Sequence, residues 1–205
     1  MGLLKLLTQD PLAFVLLVIP LLFSVIIHEV AHGWVAYRMG DPTAKEMGRL
    51  TLNPLKHLDP HGTLMLFPVG FGWAKPVPVN FYNLRDRRKG LILVSSAGIV
   101  ANIILAFLFE MLLKVIPLRY AGTWIVMIYF MVQINITLAA LNLIPLPPLD
   151  GSKILLGLFP AQMQEVYGRL GSNGLIIILL LLFTGILNPV IGFIRHLIEL
   201  LIGIR

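Results

Sequence analysis

Four stretches of this chain, at about 12–34, 91–113, 123–144 and 174–201, are almost continuously apolar. Each of the first three exceeds the ~20 residues that a helix needs to cross a hydrocarbon layer about 30 Å thick. The fourth is interrupted by Asn188-Pro189, which predicts one span followed by an interfacial half-helix. Hydrophobic residues make up 58% of the 205 and charged residues 13%, about half of the ~25% usual in soluble domains. A chain this size cannot bury so much apolar surface in its own core, so a lipid-facing surface is required. A soluble globular protein and a disordered one are both excluded. The expected fold is an all-α polytopic membrane protein with about four transmembrane helices, forming one domain over 1–205.

The net charge is +6, and its distribution favours a membrane over nucleic acid as the basic partner. Nine of the 16 Lys and Arg fall between Arg38 and Lys89, and Lys153 and Arg169 add two on the same side. Lys5, Lys114, Arg119, Arg195 and Arg205 lie on the other. The excess predicts a cytoplasmic 38–89 segment in a cell membrane, with an external N-terminus. The compactness of the chain suggests a prokaryotic source. The first apolar run is too long for a signal peptide and no A-x-A-like site follows it. There is no cysteine, which excludes disulfides, thiolate metal sites and cysteine nucleophiles.

The 38–89 connection is too long for an ordinary loop. Arg49-Leu-Thr-Leu52 alternates as a short strand does. Pro54, Pro60, Pro68, Pro76 and Pro78 forbid a continuous helix. Leu64-Met-Leu-Phe67 and Phe71-Gly-Trp73 are apolar but too short to span, which predicts a partly re-entrant connection with short β segments.

Chemistry concentrates near the end of the first span, in His28-Glu29-Val30-Ala31-His32. On a helix, residues four apart share a face, so both imidazoles can bind one metal ion. Zinc suits them: it accepts imidazole nitrogen and tolerates an open fourth position, where bound water has its pKa lowered towards ~7. Glu29 stands ready to take that water's proton. Three ionisable groups within five residues of an apolar run cost several kcal/mol unless paired or ligating.

A third ligand is needed. Asp150 stands in Asn142-Leu-Ile-Pro145-Leu-Pro147-Pro148-Leu-Asp150-Gly151, at the end of the third span and so at the same end of the bundle as the histidines. A turn-capping aspartate before glycine would look the same. His57, Asp59 and His61 on the connection are the competitors. Glu110 and Glu165 would serve a peptidase class that uses a glutamate ligand. Asn102, Gln133, Asn135 and Asn142 lie at membrane depth, where they either line a hydrated pocket or hydrogen-bond between helices.

Taken together, the two motifs resemble the site-2 proteases, intramembrane zinc metalloproteases of peptidase family M50. The resemblance extends to Gly72-Trp-Ala-Lys-Pro-Val-Pro-Val-Asn80 and Ser96-Ala-Gly98-Ile-Val-Ala-Asn102, and covers about residues 12–160. It implies His28, His32 and Asp150 as ligands of one Zn2+ per chain, Glu29 as catalytic base, and Asn142 near the substrate backbone. Asn102 is a further substrate-binding candidate. Ile99 stands where the family usually has proline. The resemblance further implies a minimal core without a PDZ or nucleotide-sensing domain. The implied substrates are transmembrane segments of other proteins, cut from the cytoplasmic side of the lipid bilayer. Two rivals share the composition: a catalytically silent metal-binding scaffold, for which Glu29 has no use, and a metal transporter, which needs polar groups along its whole path.

Overall fold

The structure, a computed structural model, describes residues 3–60, 62, 64–65, 74–117, 122–159 and 174–204. A short helix α1, Leu3–Gln9, leads into the long helix α2, Pro11–Arg38. Asp10 caps α2 by accepting from the Ala13 amide at 2.9 Å, and Pro11 takes the first helical position, where no amide hydrogen is needed. After α3, Thr43–Glu46, and a 3-10 turn at Pro54–Lys56, the chain enters helix α4, Arg87–Val115. Asp86 caps α4 through the Lys89 amide at 3.0 Å. Then follow α5, Thr123–Asn142, α6, Asp150–Leu158, α7, Gly174–Phe183, and α8, Asn188–Leu201.

Three helices, α2, α4 and α5, are long and apolar enough to cross a membrane. They match the first three expected spans. Helices α7 and α8 are bent against each other by 89°, giving a fourth span only if the pair counts as one. The break falls earlier than Pro189 suggests. Thr184 turns its hydroxyl back onto the Leu180 carbonyl at 2.9 Å, and Gly185 adopts φ +74°, which ends α7 before the proline is reached. Pro189 sits in the first turn of α8, where proline is tolerated.

Helix α4 packs against α2, α5 and α6. Ile99 and Ala106 meet Val132, Ile136, Ala139 and Ala140 of α5, with Ile198 and Ile202 closing the cluster from the end of α8. The alanines let the backbones approach closely, as helices must where lipid offers no hydrophobic drive for association. Outward faces stay apolar: Leu12, Val15, Ile19 and Phe23 on α2, and Val100, Ile104, Phe107, Leu108 and Leu112 on α4, are exposed. That pattern suits a multi-pass membrane protein.

The expected β segments are absent from the described residues, apart from one isolated bridge between Leu58 and Ala74. Side chains claim the backbone groups that a ladder would use. His57 Nε2 pairs with the Thr51 carbonyl at 2.8 Å, the Thr51 hydroxyl accepts from the Asn53 amide, and the Asn53 side chain accepts from the Leu55 amide. Local side-chain bonds of this kind favour turns over strands. Of the re-entrant segment expected at 64–73, Leu64 and Met65 are described and exposed, and 66–73 lie outside the described residues.

Two buried charges fasten the connection to the bundle. Arg49 donates to the carbonyls of Lys75 and Pro76 at 2.8 and 3.3 Å. Asp41, fully buried, accepts from the Thr43 hydroxyl, from the Asn80 amide at 2.7 Å and from the Asn83 side chain at 2.9 Å. Burial alone would raise the Asp41 carboxyl, but the donors of Thr43, Asn83 and Asn80 outweigh it and hold the group below its ordinary value.

Asp41→Asn should therefore lower the stability of the detergent-solubilised protein by about 1–3 kcal/mol at neutral pH. The contribution is complete above the unfolded carboxyl value near ~3.9 and fades as pH falls through the lower folded one. Thermal unfolding across that range checks the sign. The gap between wild type and variant should close on acidification, and a gap unaffected by pH would refute the assignment.

Candidate metal centre

Helix α2 brings His28 and His32 onto one face, one turn apart, and both are buried. Asp150 arrives from the other side. Helix α5 stops at Asn142, a proline-rich turn reverses the chain, and Asp150 becomes the first residue of α6. The turn is tight: a Cβ on Gly151 would lie 2.5 Å from the carbonyl oxygens of both Leu143 and Ile144. Arg88 holds the far end of α6 to α4 by donating to the carbonyls of Gly157 and Leu158 at 2.7 and 2.8 Å.

Asp150 Oδ2 lies 3.1 Å from His28 Nε2 and 3.0 Å from His32 Nε2, and the two nitrogens are 3.0 Å apart. The other ring nitrogens settle the tautomers. His32 Nδ1 is 2.6 Å from the Val94 carbonyl, which can only accept, so that nitrogen carries the hydrogen. His28 Nδ1 donates likewise to Asn102 Oδ1 at 2.5 Å. Both Nε2 atoms are then bare lone pairs, aimed with a carboxylate oxygen at one point. With both rings neutral, three acceptors and no donor face one another, and they repel unless a cation lies among them. Ligand atoms on a tetrahedral zinc with bonds of roughly 2.0 Å are about 3.3 Å apart, close to the observed triangle. The donor set of two neutral imidazoles and one carboxylate fits Zn2+. Among the described residues, this is the group of His, Asp and Glu able to hold a metal.

Behind His28 the hydrogen bonds continue inward. Asn102 donates to Asn135 Oδ1 at 2.7 Å, and Asn135 donates to the Ser24 hydroxyl at 2.8 Å and to the Met131 carbonyl at 2.7 Å. Ser24, Asn102 and Asn135 are all fully buried. Gly98 faces the ring itself: a Cβ there would stand 2.5–2.6 Å from three atoms of the His28 imidazole. One face of α4 thus carries Val94, Gly98 and Asn102, each positioning a histidine.

In front lies a cavity of about 340 Å³, open to the outside of the bundle. Glu29, Asn142 and Lys153 line it with His28, His32 and Asp150, and Pro76, Val77, Val79 and Phe81 of the connection form part of its wall. Glu29 Oε2 accepts from the Val77 amide at 2.7 Å. Asn142 donates to the Leu138 carbonyl of its own helix at 3.0 Å.

The other sequence candidates fall elsewhere. Asn102 bonds to His28 from behind and is not among the residues that line the cavity. Gln133 accepts from Arg195 of α8 at 2.6 Å, remote from the histidines. His57 braces Thr51, Asp59 accepts from the Gly62 amide, and Glu110 pairs with Lys114 at 3.5 Å. His61 and Glu165 lie outside the described residues. Sequence reasoning gives Ser24 no role, although its place one turn before His28 on α2 is a usable signal. Nothing in the sequence marks the Val94 carbonyl or the Val77 amide.

The profile described as Peptidase family M50 matches residues 16–119 and 117–185. The chain belongs to this family. It is 44% identical over 182 residues to "Putative zinc metalloprotease YwhC" of Bacillus subtilis, covering 82% of this chain and 80% of the relative. It is 33% identical to "Putative zinc metalloprotease Rip2" of Mycolicibacterium smegmatis, covering 85% and 69%, and 31% identical to the protein of that name from Mycobacterium tuberculosis, covering 88% and 73%. No solved structure matches the chain. Membership makes this M50 chain a metalloendopeptidase, a hydrolase of peptide bonds, and zinc is the metal that both the family and the donor set indicate.

Two substitutions test the support of the histidines. Gly98→Ala should displace the His28 ring and strip zinc from the purified protein. Asn102→Leu should weaken zinc by about 10–100-fold, the usual cost of losing such a partner. Metal content after dialysis against graded chelator reads both, and wild-type retention in either variant would remove that residue from the support.

Proposed function

We propose that this M50 peptidase cuts peptide bonds within or beside the transmembrane segments of other membrane proteins, working as a single membrane-embedded domain of the cell membrane. The observation that carries the reading is the position of Glu29. It lies next to two histidines near the C-terminal end of the first membrane-crossing helix, on an open cavity that water can enter. A structural metal site has no use for that carboxylate.

Zinc, when bound, acidifies water and polarises a carbonyl oxygen. The protein's own groups do the rest. Asn102 and the Val94 carbonyl fix the two imidazoles with their Nε2 atoms inward. Glu29 takes a proton from the attacking water and delivers it to the leaving amine nitrogen, while the Val77 amide holds one of its oxygens in place. Asn142, on the cavity wall, offers its side-chain amide to the substrate backbone. A helical substrate hides its amides in its own hydrogen bonds, so the cut segment must unwind at the cavity. The metal-site end of α2 adjoins the basic 38–89 connection, which supports a cytoplasmic opening.

The test uses the full chain in lipid nanodiscs with a panel of labelled single-span helices whose helix-weakening residues sit at different depths. Cleavage should be lost on chelation and restored by zinc. Glu29→Gln should lower turnover by at least ~10²-fold while zinc content holds. Near wild-type turnover in that variant would take Glu29 out of the base role. Equal cutting of soluble unstructured peptides would refute action at the membrane.

A further inference from the structure

The two oxygens of Asp150 are used differently. Oδ2 is shared between His28 Nε2 and His32 Nε2, at 3.1 and 3.0 Å, while Oδ1 receives the Lys153 ammonium at 3.1 Å. The pairing follows from the local fold. Asp150 opens α6, and three residues on, Lys153 returns to the same face of its first turn. Asp150 is 7% exposed at its side chain and Lys153 is 40% exposed, so the lysine reaches in from the cavity, where it is the one Lys or Arg among the lining residues.

An exposed lysine–carboxylate pair is ordinarily worth little. This one is set apart by what the carboxylate's other oxygen does. A carboxylate beside zinc can bind through one oxygen or both, and a second bound oxygen adds a ligand and crowds the position that a four-coordinate catalytic site keeps for water and substrate. We propose that Lys153 is a positioning residue that holds Asp150 to the metal through Oδ2 alone, keeping the fourth coordination position open. The lysine does this by hydrogen-bonding Oδ1 and turning it away from the histidine nitrogens. The proposal rests on His28, His32 and Asp150 being the zinc site.

Cobalt substitution reads coordination number directly, because four-coordinate Co2+ absorbs visible light far more strongly than five- or six-coordinate Co2+. Wild-type protein loaded with Co2+ should show the intense bands. Lys153→Met, which removes donor and charge at similar length, should bind cobalt with bands clearly weakened, and should lower kcat by about 10–100-fold with zinc restored. Lys153→Arg, which keeps donor and charge, should return the strong bands. A Lys153→Met spectrum equal to wild type would overturn the proposal, as would a Lys153→Arg spectrum equal to that of Lys153→Met. Wild-type protein that takes up no cobalt would overturn the metal-site reading beneath it, a result distinct from either. Because the Lys153 side chain is half-exposed on the cavity wall, circular dichroism of all three proteins should coincide.

Discussion

Three acceptor atoms held within 3.1 Å of one another, in a setting far less polar than water, are the constraint around which the bundle is arranged. Without a shared cation the arrangement is repulsive, and with one it ties together three helices that are far apart in sequence. His28 and His32 come from α2 and Asp150 from α6, and the groups that orient the rings come from α4. Metal binding and the packing of these helices are therefore two views of one free energy. This explains why α4 presents a glycine where a side chain would meet the imidazole. It also explains why α4 turns a backbone carbonyl and an amide side chain towards the rings.

The connection between the first two membrane-crossing helices has the opposite problem. Among its described residues there is no ladder or long helix to hold it, yet Pro76, Val77, Val79 and Phe81 must stand in the wall of the cavity. Buried charges supply the order that regular structure does not. Asp41 gathers donors from Thr43, Asn80 and Asn83, and Arg49 grips the carbonyls just before Val77. Through Val77 this order reaches Glu29. The Glu29 carboxylate is thus held by backbone whose own position depends on the contacts of Arg49 and Asp41.

Much of this was legible in the sequence. Apolar length placed α2, α4 and α5 within a few residues, because lipid leaves helix as the available solution for such segments. The i, i+4 histidines and the proline-rich approach to Asp150 picked out three side chains that the fold does bring together, with Asp150 preferred over His57 once topology was considered. What stayed hidden shares a physical cause. The short strand expected at 49–52 fails because side chains of Thr51, Asn53 and His57 satisfy the backbone locally, a competition that alternation alone does not reveal. The break before α8 depends on Thr184 and Gly185 more than on the conspicuous proline. Backbone partners such as the Val94 carbonyl and the Val77 amide carry no residue-type signal at all.

The polar residues at membrane depth sort by partner, and the sorting separates structure from chemistry. Asn102, Asn135 and Ser24 bond to one another and to His28 in a chain with no exposed member, so they orient and do not react. Gln133 and Thr137 receive Arg195, which bonds α8 to α5 and gives a charged residue among apolar neighbours the partners it requires. Glu29, Asn142 and Lys153 differ from both sets, since each lines the cavity and bonds to backbone or to a ligand oxygen. Sequence spacing singles out Glu29 and Asn142 by their motifs but treats Ser24, Asn102, Gln133 and Asn135 alike, as polar interruptions of an apolar run. The identity of the hydrogen-bond partner, which only the three-dimensional arrangement supplies, decides which of them can meet a substrate.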